Sequence, residues 1–451
     1  MRFARHYSQA TPCGPGRASL YTGMYQFNHR VVANGTPLDR RFDNVALAGR
    51  RAGYEPVLFG YTDQSFDPRD ATGPDDPRLS FYEGILPGFD VLLDLPEDNQ
   101  PWLDWLAELG YDVSPGSIPM LATENERPEQ HSIGAFMTDR AIDWIAGQTQ
   151  PWFAHLSYLR PHPPHSAPGE WADAYDPATV GDPIPADPRS HFHEQVLTMP
   201  IVAAPSDPAE LAHLRAQYFG NVSHVDHQLG RLWDALRDLG EWDDTLILVT
   251  ADHGEMLGDH GLQQKLGYWE ESYAILCIVR DPSRTDAHGT VVERFTENVD
   301  VMPTICDAIG QSVPAQCDGY PLTPFLAGEQ PRSWRTSAHW EFDWRGYLIR
   351  EVPSAWPWDR TLERLHLATL RTDTHSYVQF GNGEWLCFDL AADPTWRTTT
   401  TDPAVVLPLA QQMLLWRAQH TDRLLADMLC EDGGIGRWPP MPPDWSSQAA
   451  G

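Results

Sequence analysis

Thr11-Pro12-Cys13-Gly14-Pro15-Gly16-Arg17-Ala18-Ser19-Leu20-Tyr21-Thr22-Gly23 is the stretch on which the reading of the whole chain turns. Pro15 sits where a helix can start, because a proline in the first turn gives up only an N–H that has no intrahelical partner. Arg17 to Tyr25 reads as the turns that follow. Cys13 therefore stands at a helix N-terminus. A nucleophile there faces free backbone N–H groups and the positive end of the helix dipole, and both stabilise an attacking oxyanion and a bound anionic ester. A lone cysteine before a helix more often only packs, so the rest of the chain decides.

Working outward, Glu55–Tyr61, Pro151–Tyr158 and Thr245–Thr250 read as buried strands. Val45–Ala52, Trp102–Leu109, Ile133–Ala146 and Ala209–Leu239 read as helices, and Val299–Thr304 starts another. Residues 160–208, rich in Pro, Asp and His, read as a long ordered loop or lid. Strands alternating with helices predict an α/β fold with a central, mostly parallel sheet covered on both faces. Ligands on such sheets sit beyond the carboxyl ends of the strands, where Tyr61, His162, Asp252 and His253 fall. From about residue 335 the pattern changes. Short alternating segments at 368–371, 376–380 and 385–389, then a helix at 404–428, predict a small C-terminal antiparallel subdomain over 335–451, after a catalytic domain over 1–334. The Pro-rich tail from Trp438 reads as an arm.

Net charge is −31, from 63 acidic against 32 basic residues, which repels nucleic acid and anionic membrane surfaces as partners. It repels an anionic ester as well, so the site must supply its own cations. No apolar run approaches a membrane span. Six cysteines without paired spacing argue against a disulfide framework and, with no signal peptide after Met1, predict a reducing, cytoplasmic setting.

Asp252-His253 ends an apolar strand and precedes Gly254, so a carboxylate and an imidazole can face one cleft as half of a metal site. Thirty-one arginines accompany a single lysine, Lys265. In a chain this averse to lysine, the one retained points to a place where a compact ammonium works and a planar guanidinium does not. Arg17 can bridge the nucleophile's surroundings and a metal-bound carboxylate. His165 and His260 read as packing or surface histidines.

Cys13-Gly14-Pro15-Gly16-Arg17 also fits Cys-x-Pro-x-Arg, the signal on which a formylglycine-generating enzyme oxidises cysteine. The aldehyde hydrates to a gem-diol: one hydroxyl can attack sulfur or phosphorus, and the other can expel the covalent group. With Asp252-His253-Gly254-Glu255-x-x-Gly258-Asp259-His260, the run from Thr11 to Gly23 resembles the sulfatases of the alkaline phosphatase superfamily. The resemblance implies an alkaline-phosphatase-like fold, one divalent metal ion at Asp252 and His253, and formylglycine at Cys13. It also implies Lys265 against the nucleophile or ester oxygens and His162, in Arg160-Pro161-His162-Pro163-Pro164, near the leaving oxygen. Calcium-binding sulfatases usually carry Asn after the metal Asp; His253 brings nitrogen instead, which favours Mn, then Zn or Fe, over the harder Ca.

Where common sulfatases read Gly-Lys-Trp-His, this chain reads Gly60-Tyr61-Thr62-Asp63, with fewer cations. Together with Asn34-Gly35-Thr36-Pro37-Leu38-Asp39, that is similar to the phosphonate monoester hydrolases and implies Asn34 and Tyr61 at the substrate. The implied reaction is hydrolysis of a small anionic ester, a phosphonate monoester or phosphodiester, with sulfate esters as the close alternative. A family-like homo-oligomer is implied too, although no stretch marks an interface. The family opens with a strand ending in Asp-Asp or Asp-Gln that adds metal ligands. Here the chain opens at Met1-Arg2-Phe3-Ala4-Arg5-His6-Tyr7, further along that pattern, so the first strand is expected to be missing. A misassigned start, or an inactive homologue serving only as a binding or oligomer partner, would account for it.

Overall fold

The structure is a computed structural model that describes residues 1–348, 360–421, 424, 426, 428–431 and 434–437. Its first segment is a strand, β1 (Arg2–Tyr7). The polar look of that segment is deceptive. Phe3 and Tyr7 are buried, and so is His6, whose ring nitrogens bond Thr296 Oγ1 and Asn298 Oδ1 at 2.9 and 3.0 Å. Arg5 lies over the Phe295 ring at 3.6 Å. Once its polar groups are partnered, the segment can sit in a sheet interior.

The strands that follow are β2 (Pro56–Gly60), β3 (Asp90–Asp94), β4 (Phe153–Leu156), β5 (Ile247–Thr250), β6 (Ala274–Ile275), β7 (Cys277–Arg280) and β8 (Val291–Glu297). β1 runs parallel to β8, from Arg2 opposite Val291 to Tyr7 opposite Glu297. On its other side it meets β6 and β7 antiparallel, and β7 pairs β5. β3, β2 and β4 form a second piece, all parallel. The central α/β sheet, mostly parallel, is thus divided, with β4 the last strand of one piece and β5 the last strand of the other.

Both pieces nevertheless share the same two cores. Ile247 of β5 packs in one cluster with Val57, Phe59, Ala154 and Leu156. Leu248 joins Leu58 and Phe153 in the cluster on the opposite face. Among the described residues no ladder pairing joins β4 to β5, and all eight residues of the two strands are half-buried.

Helices cover both faces, and their ends carry the expected caps. Asn44 accepts from Ala46 and Leu47 N–H, Ser132 from Ala135, and Asp207 from Ala209 ahead of Pro208. The helices read at 45–52, 133–146 and 209–239 are found at Val45–Arg51, Ile133–Ala146 and Pro208–Asp238.

The C-terminal part is an antiparallel sheet of four strands in the order β12-β11-β10-β9: β9 (Ala338–Asp343), β10 (His366–Arg371), β11 (His375–Phe380) and β12 (Trp385–Asp389). Glu341 N–H donates to Gln9 O at 2.9 Å, joining this sheet to the segment after β1. An aromatic core seals the junction: Trp340 stacks on Tyr7 and Tyr273 at 5.6 and 4.8 Å. The helix expected over 404–428 is shorter. It runs Pro403–Gln419 and ends where His420 Nδ1 bonds the Trp416 carbonyl, while Met428 lies in a strand, Met428–Glu431. The tail from Trp438 lies outside the described residues.

Candidate active site

Cys13 is the first residue of the helix Cys13–Thr22, every residue of which is buried. Gly14 N–H in its first turn donates to Asn34 Oδ1 at 2.8 Å, so Asn34 fixes the entry to the helix. The Cys13 Sγ lies 3.1 Å from His253 Nε2. Burial opposes ionisation of this thiol, but the charges of Lys265 and His253 outweigh it and hold Cys13 well below the ordinary thiol range.

Arg17, one turn along, ties three strand ends together. Its Nε donates to Asp252 Oδ2 at 2.8 Å, and its Nη1 donates to Tyr61 O at 2.9 Å and Ser157 Oγ at 2.8 Å. Its guanidinium lies 4.1 Å from the centroid of the Tyr61 ring. Tyr61 follows β2, Ser157 follows β4 and Asp252 follows β5. Gly60, the last residue of β2, has φ +104°, and a Cβ there would meet Ser157 O at 2.3 Å, so only glycine lets these two strand ends approach.

Cys13, Asp252 and His253 present ligand atoms all within 4.8 Å of one another. His253 Nδ1 donates to Gly254 O at 2.8 Å; a carbonyl only accepts, so Nδ1 holds a hydrogen and Nε2 is the nitrogen turned to the cluster. Burial opposes the Asp252 charge, but His253 and Arg17 overcome it and keep the carboxyl well below the usual carboxylate range. An ionised carboxylate and an imidazole with its outer nitrogen bonded fit a divalent ion of intermediate hardness.

Lys265 is buried, and its Nζ donates to His162 Nε2 at 3.1 Å, while His162 Nδ1 donates to Pro163 O at 2.8 Å. Burial disfavours the ammonium, but Cys13 and Glu255 hold the Lys265 pKa above its ordinary value. Asn34, His162, Lys265 and Tyr347 line a cavity of about 290 Å³ that reaches Pro12, beside Cys13. A larger depression of about 450 Å³, near Arg189 and Trp385, contains none of these residues.

All eight residues singled out from the sequence thus fall in one region: Cys13, Arg17, Asn34, Tyr61, His162, Asp252, His253 and Lys265. His165 packs against Tyr218 at 5.5 Å and His260 against Trp269 at 5.3 Å. Sequence reasoning missed Ser157 and Glu255. Ser157 follows an apolar strand directly, which is a usable signal. Glu255, half-buried with its Oε1 buried and unpartnered and its carboxyl raised by burial, follows Asp252-His253-Gly254. Asp63 is buried on left-handed backbone with φ 52°.

Residues 1–311 match the sulfatase family model, and residues 258–414 match the model for the C-terminal part of N-sulphoglucosamine sulphohydrolase. The chain is 35% identical to the multifunctional alkaline phosphatase superfamily protein PehA of Trinickia caryophylli, over 96% of this chain and 90% of that protein. Among solved structures, the phosphonate monoester hydrolase of Agrobacterium radiobacter superposes with a TM-score of 0.89 at 37% identity, covering 97% of this chain and 92% of that one. The phosphonate monoester hydrolase of Silicibacter pomeroyi gives 0.84 at 34% identity, covering 98% and 92%.

Proposed function

Because the chain belongs to the sulfatase family, as a sulfatase-like ester hydrolase, we propose that it hydrolyses phosphonate monoesters or phosphodiesters through formylglycine formed from Cys13. The observation that carries this reading is the convergence on Cys13: helix N-terminus, His253 at 3.1 Å, and the Lys265–His162 pair across the cavity.

In the proposed cycle, one hydroxyl of the hydrated residue-13 aldehyde loses its proton to solvent and attacks phosphorus, and the bond from phosphorus to the alcohol oxygen breaks. The Lys265–His162 pair lies where a proton can pass to the departing oxygen. The second hydroxyl then gives its proton to solvent, the carbon–oxygen bond to the phosphoryl group breaks, and the aldehyde reforms. One water rehydrates it, so each cycle consumes one ester and one water. Arg17 holds Asp252 and the strand ends in register, and Asn34 holds the first turn of the helix. A divalent ion bound at Asp252 and His253, with Mn favoured, would supply positive charge that acidifies the attacking hydroxyl.

Tyr61 and Asp63 stand where common sulfatases have cations, which supports a phosphonate or diester over a sulfate ester. The test compares aryl phosphonate, phosphodiester and sulfate esters on one preparation made with the formylglycine-generating enzyme. Mass spectrometry of the Cys13 peptide should read formylglycine, and the phosphorus esters should turn over faster. Faster sulfate turnover reverses the ordering; unmodified cysteine with full activity removes the covalent route.

A further inference from the structure

The loops flanking the nucleophile are crowded with carboxylates, and most of them have a partner. Asp39 pairs with Arg41, Asp43 with Arg51, Asp67 with Arg69, and Asp76 with Arg78. Asp63, Glu83 and Glu97 break that pattern: among the described residues, none of the three forms an ion pair. Asp63 is 4% exposed, and its Oδ1 is buried with no hydrogen-bond partner. It sits close to the nucleophile, since Gln64 Nε2 donates both to Gly14 O at 2.9 Å and to Asp63 O at 3.0 Å. Tyr82 OH bonds Glu83 Oε1 at 3.3 Å and Glu97 Oε2 at 3.4 Å, and the Tyr82 ring is 38% exposed.

A buried carboxylate without a partner is costly, and proteins keep one where a ligand completes it. Burial, then the charge of Cys13, pushes the Asp63 carboxyl up to about 9, and burial also raises Glu83. Both are held toward the neutral acid while no counter-cation is present, and an arriving ammonium would draw them back to the carboxylate, Asp63 giving up its proton to solvent. Arg17 acts on Asp63 through space without an ion pair or a hydrogen bond to it, since its Nε and Nη1 hydrogens go to Asp252, Tyr61 O and Ser157. The candidate metal site does not supply a partner either, since the cluster of mutually close ligand atoms is Cys13, Asp252 and His253. The left-handed backbone of Asp63 is itself a strain that persists only where its surroundings impose it.

We propose that the substrate is an ester carrying an ammonium group, and that Asp63 and Glu83 receive this cation beside the Tyr82 ring while Lys265 and His162 face the anionic phosphorus end. The inference rests on the hydrolase reading and adds the substrate's second charge. A zwitterionic ester fits a site with one cationic and one acidic wall, and an exposed tyrosine face next to carboxylates suits an alkylammonium. It also accounts for Asp63 standing in an anion-binding region, where a carboxylate alone would repel the ligand.

The test measures binding by calorimetry of phosphocholine and of 3,3-dimethylbutyl phosphate, its carbon isostere, to the intact protein. The two share the phosphate and the shape and differ by the positive charge. Phosphocholine should bind about tenfold more tightly. Glu83→Gln, at a half-buried position, and Asp63→Asn, which keeps a residue tolerant of left-handed backbone, should each reduce that ratio toward one. A ratio of one in the wild type, or a preference that survives both variants, overturns the proposal. Turnover of an aryl phosphonate monoester without an ammonium group is followed in parallel. Turnover without charge preference sinks this inference and leaves the hydrolase reading standing. Charge preference without turnover of any ester sinks the hydrolase reading and leaves only the cation-receiving role of Asp63 and Glu83, for a ligand that is not a substrate.

Discussion

Replacing Arg17 by methionine removes one charge from a buried, three-armed contact and leaves its acceptors behind. Asp252 Oδ2, Tyr61 O and Ser157 Oγ lie 2.8, 2.9 and 2.8 Å from the guanidinium nitrogens. Summing charge-assisted bonds at about 1.5–3 kcal/mol each overshoots, because the methionine no longer has a guanidinium to desolvate. Breaking a buried pair by removing one partner costs about 3–5 kcal/mol. The Asp252 side chain keeps 17% exposure and so retains some hydration, which puts the expected loss near the lower end, about 3 kcal/mol. Urea unfolding followed by tryptophan fluorescence would measure it. A cycle with Asp252→Asn should show coupling of about 1.5 kcal/mol or more between the two sites. The pH dependence has a definite sign. The folded Asp252 pKa is depressed, so its contribution is present above the unfolded value of about 3.9 and is lost as pH falls toward the folded one. In Arg17→Met this acid-side loss should shrink. A loss under about 1 kcal/mol, the size of an exposed pair, or a strictly additive cycle would refute the claim that Arg17 organises the site.

His162→Asn should slow esters of poorly departing alcohols by about 10²-fold and nitrophenyl esters far less, because only the former need a proton on the leaving oxygen. Lys265→Met should lower kcat/KM for both kinds by about 10²–10³-fold, as expected for the loss of a charge facing the developing oxyanion; equal small effects from both variants would argue against these roles. Asp63→Asn should flatten the stability profile between pH 5 and 9. The folded carboxyl titrates near 9 and the unfolded one near 4, so the wild type binds more protons when folded and loses stability as pH rises through that window; an unchanged slope would count against a neutral, unpartnered Asp63. Chelation should abolish turnover, with Mn restoring more than Ca, and full activity after exhaustive chelation would dismiss the metal at Asp252 and His253.

Much of the site was legible because its signals are local. Cys13 precedes a proline-started helix, and Asp252-His253 follows an apolar run. Tyr61 and His162 come after strand-like segments, and sheet topology gathers such ends at one edge. Helix starts were equally plain, since Asn44, Ser132 and Asp207 are capping residues. What was hidden depends on partners distant in sequence. The sequence assigned no strand to Arg2–Tyr7, whose place in the sheet rests on Thr296 and Asn298 bonding His6 and on Phe295 lying under Arg5. Ser157 matters only because Arg17 reaches it, 140 residues away. The early end of the C-terminal helix at Gln419 follows an apolar run with no glycine stop signal. Asp63 shows in the sequence as part of a run with fewer cations than common sulfatases carry, but the lack of a partner for its Oδ1 is a property of three-dimensional packing alone.

The seam between β4 and β5 gives the molecule a mechanical character. Ladder hydrogen bonds bind strands shoulder to shoulder, but across this line the two parts of the sheet meet as two leaves of a door, closed by apolar side chains on either face. Arg17 is the latch. One end grips Asp252 on the β5 leaf, and the other grips Tyr61 and Ser157 on the β2 and β4 leaf. Arg17 shares that work with Gln64, whose Nε2 donates to Gly14 O, with Tyr21, which meets His155, and with Lys265, which meets His162, so the nucleophile and the substrate-facing residues are held together across the line at several points.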